Sequence, residues 1–294
     1  MPKYSFAAVG AGLLLVMLHS SLALSMPLNV VATLPILKEF AEQVGREHVQ
    51  VTTLISGLES EHSYSPKPSD LKAIAQARLL FEIGLGLEVW VHGLVKNAGN
   101  PGLRVITTSQ GISVIRESES DQDSPGNPHI WLDPENAKVM TRHIAKGLIE
   151  ADPDHKGEYQ ANLDRYLHRL DESENDLQRR VAPLQDRRVV TYHPAWPYFA
   201  RRFGFDIVDN IIRQVGAEPS AAHLTRLAHR MKSEKIKVIV SEPQLNPKVA
   251  QVLAGETGAR IVVLSPLPGG MKGTETYLAM LAYNITRLVE ALQS

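Results

Sequence analysis

The strongest constraint on the fold is an alternation of short apolar, β-branched runs with segments of helical periodicity, which occurs twice. The first series begins at residues 29–34 and the second at residues 188–192. Strands that alternate with helices form parallel sheets covered by helices, because each parallel connection must cross over the sheet. Between the two series, residues 154–182 carry apolar side chains at helical spacing and charge on their other faces. The sequence therefore predicts two parallel-sheet α/β lobes joined by a long rigid linker helix.

The first residues of the chain differ from the rest. Lys3 precedes an apolar stretch at residues 6–18, and small residues follow as far as Ser25. This pattern is typical of a secretory signal peptide, and the apolar stretch is shorter than a membrane-spanning helix requires. We predict cleavage near Ser25 and export to a bacterial periplasm. The predicted units are a signal peptide (1–25), an N-terminal lobe (26–152), a linker helix (153–184) and a C-terminal lobe (185–294).

Charge and cysteine content exclude several classes of protein. The formal net charge is −1, so the chain carries no basic surface of the kind that binds nucleic acid. It contains no cysteine, which excludes a disulfide framework, a thiolate metal site and a lipid anchor on an N-terminal cysteine. The row of apolar side chains along the predicted linker helix is too short to indicate a coiled-coil oligomer. We therefore expect a monomer.

Three of the eleven histidines have similar surroundings. His62, His129 and His193 lie in predicted loops, beside proline and aromatic residues, and His62 and His193 directly follow predicted strands. Such loops gather at the carboxyl ends of the strands, where ligands bind in open α/β sheets. Neutral imidazole suits zinc and neighbouring first-row ions. Because the three histidines are far apart along the chain, their spacing alone is weak support for a metal site.

The loop that carries His62 has the features of a rigid segment. It connects a predicted strand at residues 49–55 to a predicted helix, with Ser69 as its N-cap. Pro66 and Pro68 restrict the backbone just before that helix. A second short helix is predicted at residues 87–95. We expect the first loop to present His62 to a ligand.

The residues around these histidines form recognisable motifs. They are EHSYSPKPSD (61–70), NPHIWLDPEN (127–136), TYHPAWPYFARRFG (191–204) and SEPQ (241–244). With the linker helix after the second motif, the chain resembles the metal-binding solute-binding proteins of bacterial zinc and manganese ABC transporters. The resemblance covers essentially all of the mature chain. It implies that His62, His129 and His193 each supply one metal ligand in the cleft between the lobes.

Two departures from the family pattern affect the site. The family usually has an aspartate ligand after the last strand, where this chain has Ser265, a poor zinc ligand. The fourth ligand is then water or Glu61, with Glu242 less favoured; Glu242 could instead accept a hydrogen bond from a histidine ligand. The loop at residues 117–126 is acidic where many zinc-binding members have a histidine-rich loop, and we expect it to be solvated.

The leading functional hypothesis is a periplasmic receptor that does no chemistry itself. It would bind Zn²⁺ in preference to Mn²⁺. In the family that the chain resembles, manganese-binding members usually have glutamate at the third ligand position, where this chain has His193. Its partner would be the inner-membrane permease of an ABC importer. The alternative to a receptor is an enzyme. It would be a zinc-dependent hydrolase in which the same three histidines and a water bind the zinc and Glu61 acts as the general base. A third possibility is a metal-free ligand receptor or adhesin. The chain lacks the motifs His-Glu-x-x-His and Gly-x-Ser-x-Gly, which argues against the enzyme.

Overall fold

We describe a computed structural model of the chain over residues 26–116, 124–213 and 216–293. The predicted signal peptide and most of the acidic loop lie outside the described residues. Within these three ranges, no helix combines the length and apolar character needed to cross a lipid bilayer.

The N-terminal lobe is built on a four-stranded parallel sheet with the order β2-β1-β3-β4. Its central strands are rich in buried valine, leucine and phenylalanine, as expected for a sheet covered by helices on both faces. The strands are β1 (Leu28–Ala32), β2 (Val49–Thr53), β3 (Leu79–Glu82) and β4 (Arg104–Thr107). The helices are α1 (Pro35–Gly45), α2 (Pro68–Gln76), α3 (Val91–Ala98) and α4 (Pro134–Ala151).

The C-terminal lobe repeats this topology with the strand order β6-β5-β7-β8. Its strands are β5 (Arg188–Thr191), β6 (Asp206–Asn210), β7 (Val238–Ser241) and β8 (Arg260–Val263). Its helices are α6 (Pro197–Phe203), α7 (Ala221–Glu234), α8 (Pro247–Thr257) and α9 (Tyr277–Gln293). The prediction of two parallel-sheet lobes is therefore confirmed.

The linker is the 26-residue helix α5 (Lys156–Val181), about 39 Å long at 1.5 Å per residue. A short 3-10 turn, Pro153–His155, precedes it. Its buried face packs on α1, α4 and α9, and one apolar core continues from the first sheet through this helix into the second lobe. The buried apolar and aromatic residues of this face are Tyr159, Leu163, Tyr166, Leu170, Leu177 and Val181. Because the core is continuous, the linker joins the lobes as a packed layer and restricts their relative motion.

Buried hydrogen bonds also connect the two lobes. The indole Nε1 of Trp131 donates to the carbonyl oxygen of Pro266 at 2.7 Å, and the hydroxyl of Tyr277 donates to the carbonyl oxygen of Trp131 at 2.7 Å. Nearby, the guanidinium Nε of Arg202 lies 2.6 Å from Asp133 Oδ1. Asp133 is the N-cap of α4, and it is almost fully buried. These contacts fix the segment that follows His129 against the C-terminal lobe.

Two local predictions were wrong. Helix α2 has Lys67, and not Ser69, at its N-cap, because Pro68 already occupies the first helical position. Helix α3 begins at Val91 rather than at residue 87. The backbone of residues 84–86 has positive φ angles, and the Glu88 carboxylate accepts hydrogen bonds from the backbone N–H groups of Ile83 and Gly84. Residues 83–88 therefore form a closed turn, and the helix starts after it.

Candidate metal centre

The loop between β2 and α2 carries Glu61 and His62. Its end is fixed by Asp70 on the first turn of α2, whose Oδ2 accepts hydrogen bonds from the Lys67 backbone N–H at 2.6 Å and from the Tyr64 hydroxyl at 2.8 Å. Together with Pro66 and Pro68, these bonds restrict the loop that presents His62. The side chain of Glu61 is buried, whereas that of His62 is 25% exposed. His62 is therefore the most accessible of the predicted ligands.

His129 directly precedes the 3-10 turn Ile130–Leu132, which leads into α4. The side-chain oxygen of Asn127 lies 3.0 Å from the backbone nitrogen of His129 and 3.0 Å from its ring Nδ1. An amide oxygen can only accept, so we assign the ring proton to Nδ1. The second ring nitrogen, Nε2, then carries a free lone pair, as a metal ligand must.

His193 follows β5, and its ring is held by Glu242 after β7. The ring Nδ1 lies 2.7 Å from Glu242 Oε1. The same oxygen accepts a hydrogen bond from Trp196 Nε1 at 3.0 Å, and Gln244 Nε2 donates to the other carboxylate oxygen at 3.1 Å. Carboxylates in this position fix the orientation of metal-binding histidines and increase their basicity. The arrangement leaves Nε2 of His193 directed toward the other two histidines.

The four predicted residues meet at one point in the cleft. Nε2 of His129 lies 3.1 Å from Nε2 of His62 and 3.4 Å from Nε2 of His193. Oε1 of Glu61 lies 3.5 Å from His129 Nε2 and 3.8 Å from His62 Nε2, and all four donor atoms lie within 4.8 Å of one another. In a tetrahedral zinc site with bonds of 2.0–2.1 Å, donor atoms are about 3.3 Å apart. The cluster therefore already has nearly the dimensions of a zinc coordination shell.

Charge and solvation at this cluster favour a bound cation. Oε1 of Glu61 is buried and has no hydrogen-bond partner among the described residues. Leaving a buried carboxylate oxygen unpaired is costly, and a metal ion at the centre of the cluster would satisfy it. The residues present therefore fit a zinc ion.

The pKa values keep two of the imidazoles neutral. Burial lowers the pKa of His129 to about 3, with a further contribution from nearby His193. Burial also lowers the pKa of His62 to about 4, with a contribution from His129. For His193, burial lowers the pKa, but the carboxylates of Glu242 and Glu61 together raise it by more, so that the net change is upward. Protons therefore compete with a metal mainly at His193.

Ser265 is not placed to replace the aspartate of the family pattern. It is fully buried, and its hydroxyl donates to the carbonyl oxygen of Leu267 at 2.7 Å. Asn284 fixes the backbone of the same residue through two hydrogen bonds. The hydroxyl of Ser265 is therefore used within its own loop.

Two contributors to the site were not predicted from the sequence. Asn127 orients His129, and Gln244 helps to hold Glu242. Asn127 lies two residues before its histidine, a spacing at which an asparagine side chain can bond back to the local backbone. That spacing is the only signal in the sequence that could have identified it.

Comparison with known proteins agrees with this picture. A family model described as zinc-uptake complex component A, periplasmic, matches residues 30–291. A putative metal-binding protein of Treponema pallidum is 30% identical, with 99% of this chain and 97% of the relative aligned. The high-affinity zinc uptake system protein ZnuA of Bacillus subtilis is 28% identical over 90% of this chain and 88% of the relative. The manganese-binding lipoprotein MntA of Halalkalibacterium halodurans is 29% identical over the same shares of the two chains.

Solved structures give the same result. A crystal structure of ZnuA superposes with a TM-score of 0.81 at 30% identity, covering 90% of this chain and 99% of that chain. The Mn-bound periplasmic metal-binding protein from Candidatus Liberibacter asiaticus superposes with a TM-score of 0.79 at 28% identity, covering 90% and 98%. The chain therefore belongs to the zinc-uptake component A family of periplasmic metal-binding proteins.

Proposed function

We propose that this protein is the periplasmic receptor of an ABC metal importer and that it captures Zn²⁺ with Glu61, His62, His129 and His193. The observation that carries the proposal is the cluster of one carboxylate oxygen and three imidazole nitrogens, all within 4.8 Å of one another. The unpaired, buried oxygen of Glu61 supports it as the fourth ligand, in preference to water. Glu242 is then a supporting residue that orients His193.

The donor set favours zinc over manganese. Three imidazoles and one carboxylate suit Zn²⁺, whereas Mn²⁺ is better matched by oxygen ligands in a larger shell. The relatives include proteins named for either metal, so the donor set of this chain is the basis for the preference. We infer that Mn²⁺ binds more weakly.

The same donor set supports a transport role in preference to catalysis. Catalytic zinc sites keep one position open for water or substrate, whereas four protein ligands complete a tetrahedral shell. With Glu61 as a ligand, no general base remains in the cluster. Relatives are named as components of zinc uptake systems and as a metal ABC transporter substrate-binding lipoprotein. We therefore infer that the bound metal is cargo, which the receptor delivers to an inner-membrane permease.

Capture can occur with little movement of the lobes. Glu61, His129 and His193 are nearly fully buried, while His62 lies on the exposed side of the cluster. The continuous apolar core and the hydrogen bonds of Trp131 oppose a wide hinge motion. We infer that zinc enters on the side of His62 and that capture involves a modest tilt of the lobes and ordering of loops.

Metal titration of the mature protein tests this proposal. After removal of metal with a chelator, we expect one equivalent of zinc to bind tightly in competition with a chromogenic chelator, and manganese to bind more weakly. Glu61→Gln should weaken zinc binding at least about tenfold, because an amide is a poorer ligand than a carboxylate. Glu59→Gln is the matched control, since Glu59 bonds to Ser56 and Lys67 instead of facing the cluster.

The possible outcomes separate the alternatives. Failure to take up a tight zinc equivalent would contradict the receptor hypothesis. Normal affinity in the Glu61→Gln variant would show that Glu61 is not a ligand and that water completes the shell. Hydrolysis of ester or peptide substrates by the zinc-loaded protein would instead support the enzyme.

A further inference from the structure

A second group of side chains that could bind a metal lies at the amino-terminal end of the first sheet, where β2 begins. The group consists of Glu47, His48 and Glu158, and one donor atom from each lies within 4.8 Å of the others. His48 belongs to the 3-10 turn Arg46–His48, just before β2 begins, and Glu158 lies in the first turn of α5. Because the metal centre described above lies beyond the carboxyl ends of the strands, this group is separate from it.

The imidazole of His48 is held in a defined orientation. Its ring stacks on the ring of His155, with centroids 3.9 Å apart and planes inclined by 25°. The edge of the ring also packs against Tyr159, with centroids 5.9 Å apart and planes at 86°. The side chain of His48 is consequently only 17% exposed. A nitrogen donor that is fixed in this way loses little conformational entropy when it binds a metal.

The stacking partner is fixed in turn by Asp152. His155 Nδ1 lies 2.7 Å from Asp152 Oδ2, and the hydroxyl of Tyr159 donates to the same oxygen at 2.6 Å. Burial raises the pKa of Asp152, but its bonds with Tyr159 and His155 lower it by more, so the carboxylate is ionised at neutral pH. His155 and Asp152 therefore support His48 and are not counted among the donors.

The carboxylates of the group face solvent. Glu158 is 60% exposed, and its Oε2 lies 2.8 Å from Nε2 of His48. Glu47 is exposed as well. An exposed histidine–glutamate pair is common, and His168 and Glu172 on the same helix form one at 3.5 Å. The group at His48 differs from that pair because it has a packed imidazole and a second carboxylate.

We propose that Glu47, His48 and Glu158 form a second Zn²⁺ site, with water completing the shell. One imidazole nitrogen and two carboxylate oxygens suit zinc, and a site open to water binds more weakly and exchanges faster than the buried centre. The ligands come from the turn before β2 and from the start of α5, so the ion would join the first lobe to the linker helix. Binding there stabilises the folded protein, because the unfolded chain does not hold these groups together.

The test uses the full mature chain with His129→Ala, which disables the principal centre. We expect this variant to retain a weaker, saturable zinc equivalent by calorimetry and to show a rise in Tm on addition of zinc. Adding Glu158→Gln should weaken that binding at least about tenfold and remove most of the Tm rise, because a carboxylate ligand is lost. Adding His48→Ala should have the same effect.

The matched control is Glu172→Gln in the same background, which alters the simple pair on α5 and should leave the weaker equivalent unchanged. The proposal is overturned if the His129→Ala variant binds no further zinc. It is also overturned if Glu158→Gln and Glu172→Gln behave alike. Neither result bears on the principal centre. That centre is tested separately, by the tightly bound zinc equivalent of the unmodified chain.

Discussion

The two lobes have the same strand order, but a buried glutamate that follows the third strand has a different role in each. In the N-terminal lobe, Thr33 follows the first strand and Glu88 follows the third, and the hydroxyl of Thr33 donates to Glu88 Oε1 at 2.7 Å. In the C-terminal lobe, His193 follows the first strand and Glu242 follows the third, with His193 Nδ1 2.7 Å from Glu242 Oε1. A buried glutamate therefore contacts the neighbouring loop in both lobes.

The remaining partners of the two glutamates differ. Glu88 accepts hydrogen bonds from the backbone N–H groups of Ile83 at 2.8 Å and of Gly84 at 3.0 Å, so it closes the turn of its own loop. Glu242 is held by two side chains, Trp196 and Gln244. Where the neighbour is a hydroxyl, the glutamate serves the stability of a turn; where it is an imidazole, the glutamate orients a candidate ligand.

The lobes also contribute unequally to the candidate metal centre. The N-terminal lobe supplies Glu61, His62 and His129, and the C-terminal lobe supplies only His193. The loop after the fourth strand carries His129 in the first lobe and Ser265 in the second. The following predictions test this division between the lobes, from the largest expected effect to the smallest.

Removing one imidazole from either lobe should have the largest effect. His129→Ala and His193→Ala should each weaken zinc binding by more than about a hundredfold, since even loss of a supporting residue costs 10–100-fold. Competition with a chelator measures the change, and circular dichroism checks that the variants fold. His92→Ala on the exposed face of α3 is the control. If either variant kept normal affinity, that lobe would not contribute the ligand assigned to it.

Replacing the two buried glutamates should separate their roles. Glu242→Gln should weaken zinc binding roughly 10–100-fold, because an amide orients and polarises His193 less well than a carboxylate. Glu88→Gln should leave zinc affinity unchanged and, at pH 5, reduce the free energy of unfolding, because the amide nitrogen would face the Gly84 N–H that now donates to Glu88. Zinc titration and urea unfolding of both variants provide the comparison. Equal effects on zinc affinity would refute the distinction between the lobes.

The N-terminal glutamate should also produce a characteristic pH dependence of stability. Burial raises the pKa of Glu88 from 4.5 to about 7. Between these values the folded state binds a proton that the unfolded state has released, so stability falls as pH rises. Raising the pH from 5 to 7.5 should destabilise the zinc-free wild type by about 2 kcal/mol more than Glu88→Gln.

Urea unfolding of the two proteins at both pH values measures this difference, in which the contributions of other titrating groups cancel. The same pH dependence in the wild type and in Glu88→Gln would show that Glu88 is not the group responsible.

Restoring the family aspartate in the C-terminal lobe should have the smallest effect on zinc affinity. Ser265→Asp should change it by less than about threefold if Glu61, the proposed fourth ligand, completes the four-ligand shell. It should lower the Tm, since Ser265 is fully buried and its hydroxyl bonds within its loop. Zinc titration and thermal unfolding measure the two quantities. Markedly tighter binding would mean that the fourth position was open.

The general plan of the molecule was predictable from the sequence because its signals are local. Apolar runs identified the strands, and the charged and apolar faces of residues 154–182 identified the linker helix. The convergence of His62, His129 and His193 followed from their motifs. The N-cap of α2 at Lys67 and the start of α3 at Val91 were not predicted, because they depend on a proline at the first helical position and on the turn that precedes α3.

The sequence could not show which carboxylate to propose as the fourth donor, because packing decides where each carboxylate lies. The sequence left Glu61, water and Glu242 open for that position. In the structure, Glu61 is buried with an oxygen toward the histidines, whereas Glu242 contacts Nδ1 of His193. Contacts between distant segments decide whether a carboxylate lies near Nδ1 or near Nε2 of a histidine. A local sequence pattern cannot predict this.

The coordination shell of the zinc-loaded mature protein is the most direct test of the account. X-ray absorption spectroscopy or diffraction should show three imidazole nitrogens and one carboxylate oxygen at about 2.0–2.1 Å from the metal. Diffraction should assign them to His62, His129, His193 and Glu61. A shell with fewer than three imidazoles, or with ligands from one lobe alone, would contradict the claim that both lobes hold the metal between them.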